Sequence, residues 1–258
     1  MSLIAINLLK TMENINLNNL ILLFFFLIFS FFSNAQNKYP ESSMDIIHLI
    51  DSSENFYSTN DELVNGSKYF LPNSKIHGHP YLKNEWNSTT IFINNTSYKN
   101  LSTKYDLTTN DLILKIKTTD SIEQLINLNR FQIDSFRLGE SLFINSMHLI
   151  HKRNNPIYYE LIFKGKFALL IKYDKVFKKS YNNITPHGKF SSIRKDIYFL
   201  NNNQLINVNR KSKFIKCFNH DIKDKIKSFM KDNNINYRKA SKDELYQLMN
   251  YVSTLLKN

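Results

Sequence analysis

From about residue 88 onward, apolar and polar positions alternate with a period of two, the signature of half-buried strands. In TIFINNTSY, Ile91 and Ile93 alternate with polar neighbours up to Asn94-Asn95, a pair that tolerates positive φ; a strand entering a tight turn is expected. In DLILKIKT, Leu112, Leu114 and Ile116 share one face and Lys115 and Lys117 the other. The clearest hairpin is YYELIFKGKFALLIKY. Tyr159, Leu161 and Phe163 line one face before Lys164-Gly165-Lys166, and Phe167, Leu169 and Ile171 line one after it. DIYFLNNNQLINVN repeats the scheme, with Asn201 to Asn203 at the turn; FQIDSFRL and SLFINSMHL are strands of poorer alternation. The end of the chain changes period. Ile222, Ile226, Phe229 and Met230 fall on one face of a helix that Asn233-Asn234 closes. Leu245, Leu248, Met249, Val252, Leu255 and Leu256 stripe a second, and Ser241 with Glu244 forms a capping box ahead of it. The expected class is α+β: an antiparallel β-rich fold, a meander sheet or open barrel, with a C-terminal helical hairpin.

The start of the chain follows another rule. Leu20 to Phe32 is an apolar core of 13 residues, broken only by Ser30. That is short for a bilayer span of about 20 residues and fits a signal-peptide core. Ser33-Asn34-Ala35 supplies small residues for cleavage before Gln36, although Lys10 is a weak charged leader opposed by Glu13. The rival is an uncleaved signal anchor. Residues 1–35 are thus expected to be a signal peptide and residues 36–64 a loosely ordered lead-in. Residues 65–258 form the β-rich domain, ending in two helices at about 219–258. The expected location is the periplasm, cell surface or medium.

Charge changes the picture more than composition does. The net charge is +12 and uneven: residues 36–150 carry 10 Lys and Arg against 13 Asp and Glu, residues 151–258 carry 23 against 8. Such a field attracts nucleic acid, anionic polysaccharide or anionic lipid. Coding bias is the simpler account, because Asn (35 residues), Lys and Ile are all inflated. The same bias explains N-x-S/T triplets such as those at Asn65, Asn87, Asn95, Asn100 and Asn183. An anionic polymer or a membrane surface is therefore the only partner class suggested, and no specific nucleic-acid recognition is expected.

Candidate chemistry is sparse. In IHGHPYLKNEW, His77 and His79 would point the same way in a strand and could share a metal, with Trp86 close by. Gly78 and Pro80 argue instead for a turn. His148 and His151 fall on opposite faces if SLFINSMHLIH is a strand. Cys217 is the only cysteine, so no internal disulfide forms; a catalytic thiolate would need a base, and His220 is weak support. No G-x-S-x-G elbow, P-loop, dinucleotide fingerprint or zinc-finger spacing is present, and no cofactor is expected. The run YDKVFKKSY, with Lys172 just before it, interleaves Tyr173, Phe177 and Tyr181 with Lys175, Lys178 and Lys179. Such a run can stack on bases or sugars; a sheet edge guarded by Lys has the same pattern.

GSKYFLPNSKIHGHPYLKNEW, TIFINNTSYKNLSTKYDLTTNDLIL and YYELIFKGKFALLIKYDK ahead of a helical pair together resemble an uncharacterised group of exported β-rich proteins from Bacteroidota-like bacteria. The resemblance spans roughly residues 64–256 and rests on a Gly-Tyr strand start, Gly78, Pro80 and Tyr81, a Trp, and Tyr105-Asp106. It implies export and a shared fold and carries no catalytic residue. The reading is a non-enzymatic envelope or secreted protein that binds a partner or supports an assembly. The alternative is an extracytoplasmic hydrolase with a metal-dependent site at His77 and His79.

Overall fold

The structure is a computed structural model that describes residues 66–117, 122–150, 155–179 and 181–256. The leader, the lead-in and His151 lie outside them. The chain divides into two units, Met1–Ser43 and Met44–Asn258, and all described residues belong to the second.

Eleven strands form one open antiparallel sheet, in the order β1-β5-β4-β3-β2-β6-β7-β8-β9-β12-β13. The ranges are β1 Ser67–Lys68, β2 Asn87–Ile93, β3 Thr96–Asp106, β4 Asp111–Lys117, β5 Glu123–Asn127, β6 Ser135–Leu138, β7 Ser141–Asn145, β8 Tyr158–Lys164, β9 Ala168–Asp174, β12 Arg194–Asn201 and β13 Gln204–Asn207. A separate two-stranded hairpin pairs β10 (Phe177–Lys178) with β11 (Lys189–Phe190). Three helices close the chain: α1 Lys211–Lys216, α2 His220–Asp232 and α3 Lys242–Leu255.

The expected meander is present in two runs, β2 to β5 and β6 to β9, joined mostly by short turns; between the runs the chain crosses from β5 to β6, which pairs with β2. Asparagine makes those turns possible in a chain with only 5 Gly. Eight described non-glycine residues have positive φ and all eight are Asn, including the pairs Asn94-Asn95 and Asn202-Asn203 at two hairpin tips. A short polar side chain tolerates the left-handed region better than other L-residues do. Asn95 and Asn100, both in N-x-S/T triplets, serve the backbone in this way.

One sheet face carries a continuous apolar layer: Ile91, Tyr105, Leu112, Phe136, Phe143, Tyr158, Leu169 and Phe199 are all buried. The rings of Tyr105 on β3 and Tyr158 on β8 are 5.8 Å apart although four strand spacings separate them. A flat sheet would put them about 19 Å apart, so the sheet curls around this layer. The helices extend the same core through Phe214, Ile226, Met230, Leu245, Leu248 and Val252.

Three local expectations change. A bulge between Leu161 and Phe163 inserts Ile162 and reverses the alternation. Tyr159 and Leu161 therefore face away from the core that Phe163 joins, and Glu160 points into it. The second half of SLFINSMHL leaves the sheet after Asn145 for a 3-10 turn, Ser146–His148, held by the Asn145 side chain. In FQIDSFRL the strand begins only at Ser135. The C-terminal pair is preceded by a third helix, α1, whose six residues are too few to show a helical period. The capping box at Ser241 and Glu244 is formed. At the end of α2, Asn234 (φ 53) makes a Schellman closure: its N–H donates to the Lys231 carbonyl and that of Ile235 to the Met230 carbonyl.

Candidate functional site

The IHGHP stretch is a connector, as Gly78 and Pro80 suggested, and it joins two distant parts of the chain. On one side Tyr81 bridges Asp106 at the end of β3, and the Leu107 N–H donates to the Pro80 carbonyl. On the other side His77 bridges Lys189: its N–H donates to the Gly188 carbonyl, and its carbonyl accepts from Phe190. Gly78 takes φ +80, a conformation a side chain would strain.

Lys175 completes the joint. Its ammonium donates to the His79 carbonyl at 2.7 Å and lies 3.4 Å from His79 Nδ1. The side chain is buried, and desolvation lowers its pKa. Burial, then the charges of Lys175 and Lys104, hold the His79 imidazole below its ordinary pKa. An ammonium against the ring nitrogen is a poor setting for a metal cation. Among the described residues no three His, Cys, Asp or Glu side chains converge as a metal site needs.

Trp86 is already engaged. Its ring meets Lys104 Nζ at 4.9 Å and Lys115 Nζ at 5.2 Å, and Lys104 also lies 4.6 Å from the Tyr81 ring. Cation–π contacts within the protein thus use the aromatic surface a ligand would have stacked on. Beneath them Asp106, buried, accepts from the Tyr69 hydroxyl and from Thr108. Sequence reasoning gave Tyr69, Lys104 and Asp106 no role at a site because no spacing links them; the bridge at Tyr81 brings them together. Cys217 is half-buried, and burial raises its thiol pKa, the opposite of activation.

The four candidate lysines separate. Lys175 is internal. Lys172 sits opposite Asp196 in the β9–β12 ladder, an opposite-charge pair. Lys178 and Lys179 remain exposed on the β10–β11 hairpin. There Phe177 faces Phe190, rings 5.4 Å apart, while Lys178 lies directly opposite Lys189. Like charges in register oppose pairing. Neither lysine makes an ion pair among the described residues, and no Asp or Glu occurs from Lys175 to Ile193.

The hairpin tip is built, not slack. Asn182 Oδ1 accepts from the N–H groups of Ile184 (2.9 Å) and Thr185 (2.8 Å), and Gly188 donates to the Thr185 carbonyl. Gly188 is required: at φ +82 its missing Cβ would fall 2.6 Å from the Phe177 ring. This frame holds Ile184 87 % exposed, with Tyr181 and Val176 also outward.

No family model, no curated protein and no solved structure matches the chain.

Proposed function

We propose that this is an exported, non-enzymatic protein that docks on an anionic membrane surface of the cell envelope through the β10–β11 hairpin. One observation carries the reading: an acid-free hairpin sets Lys178 against Lys189 and fixes Ile184 almost fully in solvent at its tip. The lysine pair opposes folding in water and the isoleucine gains nothing from it, and the two fit one partner. Anionic headgroups attract each lysine near the surface by about 1 kcal/mol. Burying the Ile184 side chain adds on the order of 1.5–3 kcal/mol. Together these give reversible attachment, weaker than a spanning helix. Among the described residues no helix is long and apolar enough to cross a membrane.

Vesicle sedimentation tests the reading. The mature chain should bind phosphatidylcholine vesicles containing about a third phosphatidylglycerol, with binding falling steeply from 50 to 200 mM salt. Pure phosphatidylcholine should retain little. Lys178→Glu with Lys189→Glu should lower binding by at least about tenfold, since two attractions are lost and two repulsions introduced. Ile184→Ser should lower it several-fold. Equal binding to both vesicle types, or binding indifferent to all three substitutions, would refute the reading. If Ile184→Ser leaves vesicle binding unchanged while heparin retention depends on the lysines, the partner is an anionic polymer instead.

A further inference from the structure

A second basic site lies in the helical part of the molecule, built from different residues. Where β13 ends and α1 begins, and where α2 turns towards α3, the chain encloses an open groove of about 800 Å³. Arg210 and Lys211 come from the first connection, Lys231 and Arg238 from the second, and none of the ten lining residues is Asp or Glu. All four cations are exposed, and none forms an ion pair among the described residues.

Local structure does not account for them. Lys231 fits the last turn of α2, where helix carbonyls favour a cation. Arg210 and Lys211 do the reverse. They stand at the start of α1, which has no acidic residue in its first turn and no side-chain cap. Charges that oppose their own element without a compensating contact mark function more than stability.

Both walls are rigid. The Asn209 side chain accepts from the Ile197 N–H and donates to Asp196, tying the residue before Arg210 to β12. On the opposite wall the Schellman closure fixes residues 230–235, and the Lys239 N–H donates to the Asn236 carbonyl beneath Arg238. Between them Tyr237, stacked on Phe214 at 5.1 Å, anchors the floor in the core. The backbone segments that carry the cations are thus fixed before a ligand arrives, so binding costs little further backbone ordering.

We infer that this groove binds a compact multivalent oxyanion, a phosphate- or sulfate-bearing molecule whose charge answers four cations at once. The volume is that of a small-molecule site and is filled by several linked phosphates or a sulfated disaccharide. Two arginines can each grip a tetrahedral group with paired N–H donors. The inference does not depend on the hairpin.

Calorimetry on the mature chain, with inorganic tripolyphosphate and a fully sulfated heparin disaccharide in separate titrations, tests it. Saturable one-to-one binding of at least one is expected, and the tighter of the two assigns phosphate or sulfate. Arg210→Gln with Arg238→Gln should weaken that binding on the order of 100-fold, as charge-assisted hydrogen bonds are lost. Lys223→Gln with Lys225→Gln removes the same charge from α2 outside the groove and should change affinity by no more than about threefold, the scale of screened surface charge. The hairpin substitutions should leave it unchanged, which separates this site from membrane docking. Absence of saturable binding for both anions, or equal loss in the two double variants, would overturn the assignment.

Discussion

Two hairpins adjacent in the chain, β8–β9 and β10–β11, follow opposite rules. In β8–β9, Leu169, Leu170 and Ile171 are all buried, and the one carboxylate directed into the core, Glu160, is fully answered. The Tyr173 hydroxyl donates to it at 2.5 Å, and Lys242 at the start of α3 pairs with it. A buried charge survives only with such partners. In β10–β11 only Phe177 and Phe190 pack across the strands, two lysines repel in register, and an isoleucine is held in water. The first hairpin is complete within the chain. The second leaves its lysine pair and its isoleucine without such partners among the described residues.

Stability measurements can break this comparison, and the largest effect belongs to the aromatic layer beneath β8. Phe143 stacks on Phe136 at 4.8 Å and is 1 % exposed. Phe143→Ala should cost about 3–5 kcal/mol in denaturant unfolding; a loss below about 1 kcal/mol would mean the layer is not the core. Next come the helices. Leu248→Ala, fully buried, should cost about 2–5 kcal/mol. Leu255 is only half-buried, and its truncation should cost about half as much or less. Equal costs would contradict the packing of α3.

The hairpin predictions are smaller, and one has the opposite sign. Lys178→Glu converts the facing pair with Lys189 from repulsive to attractive and should stabilise the free protein by about 0.2–1 kcal/mol while weakening membrane binding. A destabilised variant would show that the lysines are not opposed in solution. The smallest effect is the pH response of the joint. The folded-state pKa of His79 is lowered, so its contribution is complete above the unfolded value of about 6.5 and is lost as pH falls through the folded pKa. The slope of stability against pH just below 6.5 should flatten in His79→Gln; an unchanged slope would place the imidazole in solvent.

Much of the architecture was legible in the chain because it rests on local rules. Period-two alternation, Asn-Asn turns, the Ser241 capping box and the apolar stripes of α2 and α3 all act between residues a few positions apart. The bulge at Ile162 was not legible, because an inserted residue changes which face is buried without changing composition. Of the candidate site, the lysine-aromatic run and the histidine pair were visible as residue types, but their roles were not. Lys175 and Lys178 look equivalent three positions apart, yet one is buried against His79 and the other stands in solvent.

What the sequence determined by itself, then, is the class of fold and the order of its elements, since hydrogen-bond period and turn chemistry are local quantities. Only the tertiary structure decided that the sheet curls until Tyr105 meets Tyr158, and that His77 and Tyr81 connect the hairpin to β3. It also decided that Arg210 and Arg238 face one groove. Those contacts join residues tens of positions apart, and burial, charge pairing and cavity shape depend on distances in space that no spacing along the chain encodes.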